Sequence, residues 1–518
     1  MHTSYFKKLT KTVSVVALAA AVGFGTTYAS VRSLLADADS AGNTVNVKDY
    51  GAKGDGDTDD SDAIQKAINA IKAKGGKVFI PAGLYYMESG VTVPPGVSIV
   101  GTTPAATGPW QNHLDSHDKG GNSIYGGSSG LSWTIGDDMR GTWILAANGI
   151  GNRNAVATFQ LDGNTSIERV GFVNKSQYPC TSSPSEAPPL ISVSTAKATN
   201  TSSTIKISDI SLANPYIGIA IAQGSDFNND YTSTPSNKSK LGTVTISNIM
   251  GSPQYKGIII KGISTPVNLN NIQFNYSCYE SNHVAERTNY ATDIEVSGSD
   301  KVSLVSVLSF GANYGLMTKP AFSGRSSQVT AVNLNLESGI PLYLTASGKY
   351  EISNSYLFTI CPFNASSRKE YRCLKIVQDK DCKTAPNYLF NNIMLQDPIE
   401  FGANTKNFND SNIDITVDGG AKIVFNGMQS YGYDLTQKEP VIRYNHRSGG
   451  ASSCQFINFN QISSASNPFI SISGSAYKSG EVSVVSSRIP KQMSLPGANV
   501  KFTDCTLYDG ANGSYYNN

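Results

Sequence analysis

The sequence predicts an all-β fold, a solenoid of stacked parallel coils opened by a single α-helix. Three observations carry this expectation. Short runs of alternating apolar and polar residues recur from about residue 204 to the C-terminal region. The composition, with 48 Gly and 15% charged residues, favours turns and strands over helices. One stretch near the start, and no other, has apolar residues at helical spacing. A chain of 518 residues would ordinarily divide into two or three domains, but repeats grow by adding units and escape that rule.

Taken in chain order, residues 1–29 read as an address. Lys7, Lys8 and Lys11 form a basic start, Val13 to Gly25 is a short apolar run, and Ala29 closes a site suited to signal peptidase. The apolar run falls well short of the ~20 residues that span a bilayer. A Sec-type signal peptide is therefore expected, with a mature start at Ser30 and a secreted or periplasmic protein. Residues 30–44 read as a flexible linker, 45–510 as the solenoid with an N-terminal cap over 45–102, and 511–518 as a disordered tail.

Removing residues 1–29 takes away three Lys and no acid, which moves the formal charge from +2 to about −1. No global basic field remains, so neither nucleic acid nor a membrane is expected as partner, and an anionic polymer would need a local cluster of Lys and Arg. The seven Cys all lie beyond residue 29. Export favours pairing, and a disulfide among Cys361, Cys373 and Cys382 would staple one loop, contributing ~3 kcal/mol. Cys454 and Cys505 read as small buried hydrophobes.

The most informative stretch is NVKDYGAKGDGDTDDSDAIQKAINAIKAKGGKVFIPAGLYYMES. Gly51, Gly54 and Gly56 allow tight turns, Asp59 or Asp60 is placed to start a helix, and Ala63, Ile64, Ala67, Ile68 and Ile71 share one face. Gly75-Gly76 then stops the helix. The acids Asp55, Asp57, Asp59 and Asp60 suit capping; Ca2+ is the alternative, although the loop lacks the glycine and distal Glu of an EF-hand.

The run KDYGAKGDGDTDDSDAIQKAINA, followed by GGKVFIPAGLYYM and GVSIVGT, resembles the opening of the pectate lyase superfamily domain of rhamnogalacturonases, epimerases and phage tailspikes. The likeness covers roughly residues 45–102, with weaker support to about 174. It implies a single-stranded right-handed parallel β-helix of the pectin lyase-like kind, with residues 60–74 as a helix plugging its N-terminal end. The physics agrees, since stacked rungs otherwise leave apolar side chains and backbone donors bare at the end.

Downstream, the runs TIKISDIS, TVTISNIM, PVNLNNIQF, KVSLVSVLSF, KYEISNSYLF, NYLFNNIML, FNDSNIDI, SCQFINFNQI and VKFTDCTL each read as one rung, with alternate apolar residues turned inward. Asn248, Asn271, Asn354, Asn392 and Asn412 recur within or beside these runs and are read as an internal ladder at tight bends, because Asn tolerates left-handed backbone and hydrogen-bonds a stacked copy of itself. A propeller or sandwich would need two-residue hairpin turns, which are scarce.

Function is expected in the loops that leave the coils. His113, Asp115 and His117, in an H-x-D-x-H-D arrangement with Asp118, are weak metal candidates; a solvated loop is the plainer reading. Trp110 and Trp133 offer flat faces for sugar rings, or else pin a long loop to the body. Three segments then place acids and bases on consecutive coils: Gln223 to Leu241 with Asp226, Asp230 and Tyr231; Asn275 to Tyr290 with Glu280, His283, Glu286 and Arg287; and Gly311 to Gln328 with Lys319 and Arg325. If the loops stack in register, two carboxylates ~5 to 9 Å apart would suit glycoside hydrolysis. A uronate lyase would instead use Lys or Arg against the sugar carboxylate and His283 or Tyr231 as base. Ordinary surface polarity is the competing reading for each residue.

The chain departs from familiar relatives in having no Gly-His-Gly, no polygalacturonase-like acid pattern, and only Arg488-Ile-Pro-Lys491 as a faint echo of a lyase Arg motif. The expectation is an exported protein cleaving an acidic polysaccharide as lyase or hydrolase. A glycan-binding adhesin and a C5-epimerase are the alternatives, and the protein is expected as a monomer or homotrimer.

Overall fold

The computed structural model describes residues 43–509 and 514–517, apart from 103–115, 119–130, 134–140, 178–182, 195–202, 223–240, 276–286, 321–325, 346, 362–369, 382–383, 401–412, 432–440, 448–451, 462–469, 474–479 and 491–498. The signal-peptide and linker expectations for 1–42 lie outside these residues.

The one early helix, α1 (Ser61–Ile71), is slightly shorter than expected. Ile64, Ala67, Ile68 and Ile71 on its apolar face join the core. The preceding acids serve the chain's own donors. Asp59 accepts from the Ser61 amide (3.0 Å), and Asp60 from the Lys53 (2.6 Å) and Gly54 (3.0 Å) amides. Asp55 accepts from the Asp57 and Thr58 amides. Turn formation accounts for these bonds: Asp60 stands at the helix N-cap but makes no side-chain capping bond, holding the upstream Lys53 and Gly54 amides instead.

Beyond α1 the chain winds as a parallel β-helix. Among the described residues, 23 strands form one sheet, 12 form a second, and every pairing in them is parallel except the last. Each coil contributes a bent strand to the first sheet, such as Leu241–Gly251, and a short one to the second, such as Lys256–Lys261. Two-fold alternation does the rest: Ile258, Ile294, Leu316, Leu342 and Leu374 stack in register inside. One continuous cluster of buried apolar side chains runs from Val47 to Cys505. Within it Phe390, Phe425 and Phe456 stack with centroids 4.8 and 5.0 Å apart. Full burial of each such side chain is worth ~1.5–3 kcal/mol.

The bends in the first sheet fall at a single register position. Asp209, Asn248, Asn271, Ser306, Asn333, Asn354 and Asn392 all have φ between 50° and 60°. Their side chains link coil to coil: Asn248 donates to Asp209 (2.9 Å), Asn271 to Asn248 (3.0 Å), Asn333 to Ser306 (3.1 Å) and Asn392 to Asn354 (2.9 Å). The ladder therefore exists, but these bonds are exposed, so it runs along the outside of the bend and not internally. Asn412 lies outside the described residues, and Gly427 holds the corresponding bend with φ 70°.

Two further expectations are corrected. Among the described residues no disulfide forms. Cys373 is a buried thiol that donates to the Gln396 carbonyl (3.0 Å), so it does not serve as a loop staple. Cys454 and Cys505 are buried in the core. Cys382 and the side chain of Cys361 lie outside the described residues. At the other end, part of the expected frayed tail pairs as a strand: Ser514–Asn517 runs antiparallel to Thr506–Asp509.

Candidate functional site

Five neighbouring strands of the second sheet build the site: β1 (Ile217–Ala222), β2 (Lys256–Lys261), β3 (Thr292–Ser297), β4 (Tyr314–Lys319) and β5 (Ile340–Leu344). Alternation that turns Ile258, Ile294 and Leu316 inward turns Ile259, Glu295, Met317 and Tyr343 outward in one register row. Lys261, Ser297 and Lys319 form the next outward row.

Glu295 sits at the centre with its side chain only 2% exposed. Three ammonium groups converge on it: Lys256 at 2.8 Å, Lys319 at 3.1 Å and Lys261 at 3.7 Å. Lys256 also donates to Thr292 Oγ1 (2.9 Å) and lies over the Tyr255 ring. Burial pushes the Glu295 carboxyl up, but Lys256, Lys319 and Lys261 outweigh it and hold the group down at about 2. Among the described residues these three cations face one anion. Lys256 and Lys261 are buried with Glu295, whereas Lys319 is 31% exposed and stands at the edge of the cluster.

Aromatic pairs flank this centre along the solenoid axis. On one side Tyr216 and Tyr255 stack with centroids 4.7 Å apart, and the Arg153 guanidinium, ion-paired with Glu186, lies over both rings. On the other, Tyr314 and Tyr343 stack at 5.4 Å, with Lys375 over Tyr343. Lys375 pairs with Glu370 at 2.7 Å, and Arg372 bridges Glu370 (2.8 Å) and Asp414 (2.9 Å).

Of the residues expected from sequence, Lys319 is brought into this cluster. Arg287 is placed elsewhere: its guanidinium is 1% exposed, binds both Asp293 oxygens at 2.8 Å, and donates to the Phe310 and Pro253 carbonyls. All five of its N–H groups are thereby used inside the wall of the solenoid. Asp226, Asp230, Tyr231, Glu280, His283, Glu286, Arg325, Trp110, His113 and Asp115 lie outside the described residues. His117 and Trp133 belong to two short antiparallel strands, Ser116–Asp118 and Leu131–Trp133, whose side chains also lie outside the description. Among the described residues no group of three metal-ligating side chains forms.

The three expected loops do not leave the coils at one phase. Residues 223–240 follow β1, residues 276–286 come before β3, and the third segment contains β4 itself. Lys256, Lys261, Glu295, Tyr255 and Tyr343 were not singled out from sequence, since none of them stands in a recognisable motif. The available signal was parity: each charge stands at an outward position or at a strand end.

Residues 44–250 match the family described as rhamnogalacturonase A/epimerase, pectate lyase-like. A stretch of 56 residues is 55% identical to Alginate lyase 7 of Azotobacter vinelandii, covering 11% of this chain and 6% of that protein. Mannuronan C5-epimerase AlgE1 of the same organism is 48% identical over 64 residues, covering 11% and 5%. The chain thus spans only about a twentieth of the length of these curated relatives. Among solved structures, the N-terminal fragment of bacteriophage phi29 gene product 12 overlaps 93% of this chain and 69% of its own at 17% identity and a TM-score of 0.45. An exopolygalacturonase from Thermotoga maritima overlaps 90% of each at 10% identity and a TM-score of 0.33.

Proposed function

Because residues 44–250 are a pectate lyase-like superfamily domain within one continuous β-helix, we propose that this protein is an exported lyase that binds and cleaves a uronate-containing polysaccharide on the outer face of β2 to β5. The observation that carries the reading is the convergence of Lys256, Lys261 and Lys319 on the single ionised carboxylate of Glu295.

Cleavage by elimination begins with loss of a proton from the carbon next to the sugar carboxylate, and a cation on that carboxylate lowers the barrier. Lys319 supplies the cation from the exposed edge of the cluster. Hydrolysis asks for something else, a carboxyl kept protonated near neutral pH. Glu295, held at about 2, is ionised there and cannot donate a proton. Glu295 therefore does not serve as that acid. His283 or Tyr231, both outside the described residues, is the base of this proposal.

The test is to incubate purified protein with polymannuronate, polygalacturonate and mixed alginate. Rising absorbance of unsaturated uronate, lost in Lys319→Met and in His283→Ala or Tyr231→Phe, is expected. New reducing ends without that absorbance would replace the lyase with a hydrolase. Binding without cleavage would make the protein an adhesin, and altered sugar composition in an uncut chain an epimerase.

A further inference from the structure

We infer that the last described coil is an interface for a second copy of this chain, the two solenoids meeting end to end through one antiparallel pair of edge strands.

The two ends of the stack are finished differently. At the start α1 packs into the core through Ile64, Ala67, Ile68 and Ile71. In the last coil the bent strand has two halves, β6 (Asn499–Thr503) and β7 (Thr506–Asp509), with a left-handed bend at Asp504 (φ 53°) between them. β7 is covered, because β8 (Ser514–Asn517) runs antiparallel along it. β6 pairs with the preceding coil, Val482 facing Val500 and Val484 facing Phe502, and among the described residues no strand pairs with its other side. Phe502 ends the inward row of Phe390, Phe425, Phe456 and Val484, and it is only partly buried.

Backbone alternation decides which groups face out along this edge. The Thr503 carbonyl accepts from the Ser486 amide of the preceding coil at 2.9 Å, so the N–H and C=O of Thr503, and of Lys501 two residues earlier, turn back into the stack. Those of Val500 and Phe502 turn away from it. An unpaired row of this kind is a template for another strand. The pairing of β8 with β7 demonstrates that the end of this sheet accepts an antiparallel one.

Charge selects the register. A two-fold axis normal to the sheet sets β6 against β6 of a second copy, antiparallel, with the apolar residues inward in both. Centring that pair on Lys501 would place two ammonium groups directly opposite each other, which is unfavourable. Centring it on Phe502 lets the two Phe502 residues exchange both backbone bonds and continues the inward aromatic row across the axis. Lys501 then faces Thr503 of the second copy and stands one position from its Asp504. Both charges are exposed, and the symmetry makes the same match twice. The axis closes at two, so the assembly is a dimer and not a filament.

The experiment begins with sedimentation equilibrium of the purified protein over about a hundredfold range of concentration, where a monomer–dimer equilibrium is expected. Lys501→Glu sets like charges beside Asp504 on both sides of the axis and should raise the dissociation constant about tenfold with the urea midpoint unchanged. In a mixture of Lys501→Cys and Thr503→Cys chains, mild oxidation should link one chain to the other above the wild-type background, because directly opposite Cβ atoms stand roughly 4.5–5.5 Å apart. A monomer at every concentration overturns the inference, and so does a trimer. A dimer that Lys501→Glu leaves intact, or in which the two cysteine variants stay unlinked, forms elsewhere and overturns it too. Should Lys501→Glu misfold, the wild-type series and the cysteine pair decide.

Discussion

Arg287 and Asp293 meet as a two-pronged ion pair, both contacts at 2.8 Å and both side chains essentially without solvent. The pair ties the segment entering β3 to the coils on either side through the Pro253 and Phe310 carbonyls. Removing one partner strands the other. Arg287→Ala is expected to cost about 3–5 kcal/mol in urea unfolding. Arg287→Lys should recover little of it, since an ammonium cannot reproduce the fork. Loss of activity in Arg287→Ala without loss of stability would place this guanidinium in the chemistry instead.

Lys256 and Lys319 contact the same carboxylate but should respond differently. Lys319→Met is expected to lower binding of an anionic oligosaccharide about tenfold with the unfolding midpoint nearly unchanged, because Lys319 is the most exposed of the three cations. Lys256→Met should lower the midpoint as well, by about 1–3 kcal/mol, since its ammonium is buried against Glu295 and Thr292. Parallel titrations and urea curves separate the two. Equal stability losses would mean Lys319 is as structural as Lys256.

The Glu295 carboxyl is depressed from the ordinary 4.5 to about 2. A depressed acid stabilises the folded state above its unfolded value and loses that contribution as pH falls through the folded one. The window therefore runs from about pH 4.5 down to about pH 2, and the contribution lost across it is about 3 kcal/mol. Urea midpoints measured at steps from pH 6 to pH 2 should fall less steeply for Glu295→Gln than for the wild-type protein, although the variant starts lower at pH 6. An identical slope would rule out Glu295 as a source of the acid sensitivity.

His446 is fully buried at the inner end of Ile442–His446, beside Val417, and neither ring nitrogen has a hydrogen-bond partner among the described residues. A buried polar group left unmatched costs stability. His446→Leu should raise the unfolding free energy by about 1–2 kcal/mol. A destabilised variant would show that the ring's shape matters more than its unmet polarity.

What the sequence made legible follows the range of the interactions. The helix and the inward file of Ile, Val, Leu and Phe depend on spacing within a few residues, and both appear where expected. The left-handed bends at Asn248 and Asn271 were legible for the same reason. The charged centre was not, because Lys256, Glu295 and Lys319 are 24 to 63 residues apart and meet only through coil register. Arg287 looked like a loop cation, and the partner that buries it is recognisable only once Asp293 is known to face it.

The file of left-handed bends has a consequence for how accurately that centre is held. From Asp209 to Asn392 the bend falls on Asn, Asp or Ser, with Ser247 and Ile249 on either side of Asn248, for example. A coil that slid by one position would force a branched residue such as Ile249 into the conformation its side chain tolerates least. Each bend thus behaves like the tooth of a ratchet, indexing its coil against the next. The teeth lie on the first sheet, yet what they index includes the far side, where ammonium groups from β2 and β4 must arrive at one carboxylate on β3.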